Sequence, residues 1–362
     1  MSQASVKRAF AKPRVSVVVP CRNEAAHIGP FLESLSRQQT DSIDIEVLLA
    51  DGMSTDGTRE RIASLQRKCA YPLRLIDNPQ LIASTALNAA IRAASGDIII
   101  RMDCHTEYAP DYTLQCVRTL EKTGAGNVGG PACTRAEGWI PRAIAAAYHS
   151  RFSTGGARFH DQDFEGYVDT VTYGCWHKST LLQLGLFDES LVRNQDDELN
   201  LRLIRSGGKI WQSRSILSWY RPRKTLSSLF RQYLQYGFWK VPVVRKHRIP
   251  GSWRHLVPGV FVLSVLMLLI VSILGLVAGE PPWAVLDDWL LLGSVTLYGA
   301  ASMAASLAAA KRNGWNLLPV LPAVFLVYHV SYGIGFLSGV VYWLTKANPS
   351  APVAVRFTEL SR

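Results

Sequence analysis

The stretch VSVVVPCRNEAAHIGPFLESL, residues 15–35, decides the fold. Its first half is a short run of β-branched residues ended by Pro20, which suits a strand buried on both faces. In its second half Ile28, Phe31, Leu32 and Leu35 fall at i, i+3, i+4 and i+7, one face of a helix. Working outward, the same alternation repeats. IEVLLAD (45–51) reads as a second strand, and Ser54 or Asp56 is placed to cap a helix over 59–68. LRLI (73–76) reads as a third strand, 82–94 as an alanine-rich helix, and IIIRM (98–102) as a fourth strand. Strand and helix in strict alternation predict an α/β, Rossmann-like, mostly parallel sheet covered on both faces.

Ligands of such sheets bind beyond the carboxyl ends of the strands. There this sequence places Pro20, Arg22 and Glu24 after the first strand, Asp51 after the second, and Asp103 and His105 after the fourth. No GxGxxG follows the first strand and no GxxxxGK[ST] occurs, so dinucleotide redox binding and a P-loop lose their usual support. If the chain stays extended through 103–105, Asp103 and His105 point the same way. A carboxylate and an imidazole at a phosphate site suit a divalent ion, Mg²⁺ or, given the imidazole, Mn²⁺. From about residue 124 glycines and aromatics break the pattern, and short strands and loops are expected. A helix then opens near Asp196 in QDDEL and stops at Gly207 and Gly208.

The 362-residue chain is 48% hydrophobic, which excludes disorder as its main state. Its apolar residues are concentrated late. Residues 256–278 carry no charge, and 289–310 and 317–344 are nearly as apolar, so three transmembrane helices are expected. An amphipathic helix from Leu226, edged by Arg231 and Lys240, should lie in the membrane surface before them. The expected division is a first, α/β domain over 1–220, an interfacial segment over 221–255, the membrane region over 256–345 and a tail over 346–362. No cleavable signal is read in the first twenty residues. Lys240, Arg245, Lys246, Arg248 and Arg254 precede the first span; Glu280, Asp287 and Asp288 follow it; Lys311 and Arg312 follow the second. The positive-inside rule then puts the first domain in the cytoplasm and the tail outside, against the mild objection of Lys346, Arg356 and Arg362. The six cysteines all precede the first span without CxxC spacing, as in a reduced cytoplasmic domain. The net charge of +11 is gathered beside the anchor, which indicates anionic lipid headgroups and no nucleic acid.

The blocks VSVVVPCRNEAAHIGPFLESL, VLLADGMSTDGT, ASGDIIIRMDCHTEY and GLFDESLVRNQDDELNLRL, in this order, resemble the inverting family 2 glycosyltransferases of the GT-A fold, over about residues 14–240. The resemblance is nearest to the membrane-bound enzymes of bacterial exopolysaccharide assembly, of the succinoglycan type. It implies that Pro20, Arg22 and Glu24 surround the donor nucleoside and that Asp51 contacts the base. It makes Asp103 and His105 the metal and diphosphate motif, with histidine where relatives carry a second acid. It makes Asp196 the catalytic base, with Asp197 as the alternative. QYLQY (232–236) stands where processive synthases have QxxRW, so transfer of one sugar is implied.

The implied donor is a nucleotide sugar, a UDP-hexose, and the acceptor a polyprenyl-diphosphate-linked saccharide at the bacterial inner membrane. The basic run Arg221, Arg223 and Lys224 either faces headgroups or grips the acceptor diphosphate. Transfer to polyprenyl monophosphate and a non-catalytic nucleotide-sugar-binding membrane protein are the competing readings. Each site residue also has a structural rival: Asp196 as a helix cap, Glu24 as a first-turn acid, Asp51 as a turn residue.

Overall fold

A computed structural model describes residues 12–67, 69–279, 282–345 and 355–358. Residues 1–11, the first part of the stretch in which no signal was read, Lys68, Glu280 and most of the tail, Lys346 and Arg362 included, lie outside the described residues. The chain divides into two compact units, one of residues 1–134 and 158–221 and the other of 135–157 and 222–362.

The first unit opens with β1 (Arg14–Cys21), α1 (Ile28–Ser36), β2 (Asp44–Asp51), α2 (Thr58–Gln66), β3 (Leu73–Asp77), α3 (Ala83–Ala93) and β4 (Ile98–Arg101). These are the elements the periodicity predicts. The first strand runs through Pro20 to Cys21, because a proline in a parallel ladder costs one donor without ending the strand. Next come β5 (Thr106–Tyr108), α4 (Tyr112–Thr123), β6 (Asn127–Gly130) and β7 (Cys133–Thr134). Two helices of the second unit, α5 (Trp139–Tyr148) and α6 (Arg151–Thr154), interrupt the series. It resumes with β8 (Gly166–Val168), β9 (Thr172–His177), α7 (Lys178–Gln183), α8 (Gln195–Arg205), β10 (Ile210–Gln212) and β11 (Ser218–Tyr220).

The main sheet has the order β3-β2-β1-β4-β9-β6-β10-β8 and a small one the order β5-β11-β7. Strands β1 to β4 pair in parallel, whereas β9 is antiparallel to both β4 and β6. Side-chain alternation builds one core on each face. Val15, Val17 and Val19 bury with Phe31, Leu35 and Leu120 on one side; Val18, Leu48 and Ile99 bury with Leu87, Ile91 and Leu199 on the other. All six cysteines are free thiols.

The second unit gathers α5 and α6 with α9 (Leu226–His247), α10 (Val257–Val277), α11 (Pro282–Asn313), α12 (Leu321–Thr345) and α13 (Val355–Thr358). Residues 139–148 and 151–154 are therefore helical, not the strands and loops expected after residue 124. Ile144, Ala143, Ala146 and Ala147 make the apolar face that α5 buries against Leu321, Phe325 and Tyr328. Trp139 Nε1 donates to the Asn316 carbonyl at 2.7 Å, and Tyr328 Oη donates to that of Ile144. Among the described residues three helices are long and apolar enough to cross a membrane, over Trp253–Val277, Val285–Asn313 and Leu321–Thr345.

Candidate active site

The loops after β1 and β2 are knitted together by side chains that accept backbone N–H groups. Asn23 N donates to Ser54 Oγ (2.7 Å), Thr55 N to Asn23 Oδ1 (2.9 Å), Glu24 N to Thr58 Oγ1 (2.8 Å) and Ala25 N to Asp56 Oδ2 (3.0 Å). Asn23 takes a left-handed φ of 54°, which asparagine tolerates. Asp51, wholly buried at the end of β2, accepts from Ser54 N, Ser54 Oγ and Arg59 Nη1, the last at 2.8 Å. Arg59 also reaches Asp77 at the end of β3. Gly52 follows, and a Cβ there would stand 3.1 Å from both Arg22 Cδ and the Leu81 carbonyl. The glycine lets Arg22 fold over the end of β2.

At the end of β4 the apolar run stops on Arg101, which is 6% exposed. Its guanidinium bonds Asp103 through Nε (3.1 Å) and Nη2 (3.2 Å), while Nη1 bonds Asp196 Oδ1. Its other flank lies 5.9 Å from the Tyr173 ring centroid. Asp103 is further held by its own N–H, which donates to Tyr108 Oη at 2.6 Å. Burial pushes the phenols of Tyr108 and Tyr173 well up, so both remain neutral partners. The chain turns at Cys104 and His105 instead of extending, so the alternation that would aim Asp103 and His105 together does not operate. His105 Nδ1 stands 3.4 Å from Glu24 Oε1, and Cys104 packs in the core.

The three acids of QDDEL sort by environment. Glu198 is fully buried and holds Arg202 at 2.7 Å, which in turn bonds the carbonyls of Leu184 and Leu186; it is structural. Asp196 lies in the first turn of α8, where the helix dipole favours a carboxylate, with its side chain 42% exposed and turned to Arg101. Desolvation raises its pKa above the ordinary aspartate value; Arg101 opposes this, and Asp103 and Asp197 add to it. Asp197 follows it in that turn.

Of the basic run, Arg221 pairs with Glu107 at 2.8 Å in the first unit. Arg223 donates to Gln232 of α9 in the second, and Lys224 is exposed. Among the described residues no group of three His, Cys, Asp or Glu is arranged to hold a metal ion. Asp103 and His105 would supply two ligands at most and leave the rest to phosphate oxygens, a donor set that suits Mg²⁺ or Mn²⁺ on a diphosphate.

Sequence reasoning passed over Arg101. The available signal was a lone cation closing a triple isoleucine, two residues before an acid.

Residues 16–175 match the family described as Glycosyl transferase family 2. The chain is 30% identical over 327 residues to the succinoglycan biosynthesis protein ExoA of Rhizobium meliloti (strain 1021), covering 88% of this chain and 93% of that protein. It is 26% identical to a Methanococcus voltae enzyme named dolichyl N-acetyl-α-D-glucosaminyl phosphate 3-β-D-2,3-diacetamido-2,3-dideoxy-β-D-glucuronosyltransferase, over 90% of this chain and 97% of that one. Among solved structures, the mannosyltransferase PcManGT of Pyrobaculum calidifontis, in complex with GDP-Man and Mn²⁺, superposes with a TM-score of 0.57 at 19% identity, covering 93% of this chain and 89% of its own.

Proposed function

The chain belongs to glycosyl transferase family 2, and from that premise we propose that it moves a hexose from a nucleoside diphosphate sugar, UDP-linked, to a polyprenyl-diphosphate-linked saccharide at the cytoplasmic face of a bacterial inner membrane, with inversion. The observation that carries the reading is Arg101, which ties Asp103 at the strand end to Asp196 at the opening of α8. It brings a phosphate-side acid and a base to one place.

Asp196 takes the proton of an acceptor hydroxyl while that oxygen bonds the anomeric carbon. The bond from that carbon to the diphosphate oxygen breaks in the same displacement, and the nucleoside diphosphate leaves. One displacement inverts the centre. Arg101 is a positioning residue: its guanidinium fork fixes both carboxylates at once, which a lysine ammonium does not do. A divalent ion held by Asp103 and His105 supplies Lewis-acid neutralisation of the leaving diphosphate when bound. Pro20, Arg22, Glu24 and Asp51 are proposed to hold the nucleoside. Three donors on the Asp51 carboxylate leave room for one more among about four lone-pair directions. Arg221, Arg223 and Lys224 are our candidates for the anionic end of the acceptor. The dolichyl-linked sugar in the name of the Methanococcus relative supports a lipid-linked acceptor.

The test is to incubate membranes carrying the protein with radiolabelled nucleotide sugars and follow the label into lipid extract. Transfer from one donor is expected; binding of a donor with no transfer from any supports the non-catalytic alternative.

A further inference from the structure

Helices α9 and α12 pack in parallel with matched register. The rings of Tyr233 and Tyr328 are 4.4 Å apart, and those of Phe238 and Tyr342 are 5.4 Å apart. Arg245 Nη1 donates to the Trp343 carbonyl at 3.1 Å. Between these points glycines let the backbones meet. A Cβ on Gly237 would lie 2.1 Å from the Tyr332 carbonyl oxygen, and one on Gly335 would lie 2.0 Å from that of Leu234. Whatever depth α12 reaches in a bilayer, α9 therefore reaches beside it.

That coupling conflicts with a crossing by α12. Along the paired length α9 carries Arg231, Lys240, Arg245 and Lys246, of which Arg231, Arg245 and Lys246 are exposed. From Arg231 to Lys246 the helix rises about 22 Å, most of a hydrocarbon core about 30 Å thick. A spanning α12 would carry Arg231 and Lys240 along its length while Arg245 stayed at its end beside Trp343, and charges within the hydrocarbon are costly.

Burial points the same way. In α10 and α11 only 6% and 11% of the most apolar stretch is covered by protein, against 39% in α12. The first two helices form a hairpin, from Phe261 stacked on Tyr298 at 4.7 Å to Ser272 bonded to Asp288. They meet α12 over its first half and middle, where Ala309 and Ala310 cluster with Leu321 and Phe325, Tyr298 bonds His329, Pro258 and Val262 meet Gly333, and Gly259 meets Phe336. The face of α12 turned from α9 shows Leu326, Ile334, Val341 and Leu344, an apolar stripe at helical spacing. Finally, the chain returns to α9 after α12: Phe357 stacks on Phe238 at 3.9 Å, and its carbonyl accepts from Trp239 Nε1 at 2.8 Å.

We propose that the paired α9 and α12 lie along the bilayer surface, on the face that carries Arg245, Lys246 and Arg254, and that only the hairpin of α10 and α11 crosses. The partner of this surface is a lipid layer with anionic headgroups. The apolar stripe of α12 sinks into the acyl boundary while the cations of α9 stay with the headgroups. Residues 355–358 then share the side of α9, which the positive-inside rule makes cytoplasmic.

A tandem reporter of alkaline phosphatase and green fluorescent protein tests this in the full chain, inserted at Gly279 in one version and fused after Arg362 in another. Phosphatase activity at Gly279 with fluorescence after Arg362 is expected. Phosphatase activity after Arg362 would mean that α12 crosses, and fluorescence at Gly279 would mean that the hairpin does not; either result overturns the proposal.

Discussion

Asp196, the base we propose, is under two opposed influences, desolvation that raises its pKa and the Arg101 guanidinium that lowers it. A base must be ionised to accept a proton, so activity should rise with pH through the Asp196 pKa and be lost below it, with the acid limb above the ordinary aspartate range. Arg101→Met removes the opposing cation, so the limb should move to still higher pH; Arg101→Lys should leave the limb nearer wild type with a lower kcat. A steady-state pH profile of the three proteins checks the order. Asp196→Asn keeps the size of the side chain and the nucleoside contacts, so donor binding by calorimetry should persist while kcat falls about 10²- to 10⁴-fold. Asp197→Asn should cost far less. A near-normal Asp196→Asn beside a dead Asp197→Asn would put the base one residue later. The acids and their order were legible in the sequence. Their coupling was not, because Arg101 reaches Asp196 across a separation of 95 residues and reads along the chain only as the end of a strand.

At the scale of elements, βαβ alternation made the parallel half of the sheet readable, since a strand buried on both faces needs a continuous apolar run. Strand direction leaves no such trace, and nothing in YGCWH marks β9 as antiparallel. Helix α5 escaped notice because glycine-rich stretches on either side outweighed its alanine-rich face. Glycines carry a sharper prediction in the second unit. Alanine for glycine inside a helix ordinarily stabilises by about 0.5–1 kcal/mol. Gly293 of α11 has nothing within 4 Å of a built Cβ, whereas one on Gly335 would strike the Leu234 carbonyl. Gly293→Ala should hold or raise the thermal midpoint in detergent, and Gly335→Ala should lower it. Tryptophan fluorescence during heating distinguishes the two, and equal midpoints would contradict the close packing of α9 on α12.

Over the whole molecule the chain passes between its units three times, at 134–135, 157–158 and 221–222. Residues 135–157 thus join the helices that follow the catalytic unit, an arrangement no local pattern announces. The donor site proposed in the first unit would call for a metal. Chelation by EDTA should abolish transfer and Mn²⁺ or Mg²⁺ should restore it, since two protein ligands hold an ion only with the help of diphosphate oxygens. Undiminished turnover in excess chelator would remove Asp103 and His105 from the metal role. The most direct measurement of the central claim is transfer itself. Membranes carrying wild type or Asp196→Asn are given the same radiolabelled nucleotide sugars, and label is counted in the lipid extract. Label from a single donor is expected with wild type and almost none with Asp196→Asn; equal label from both proteins would contradict the role of Asp196 as the base.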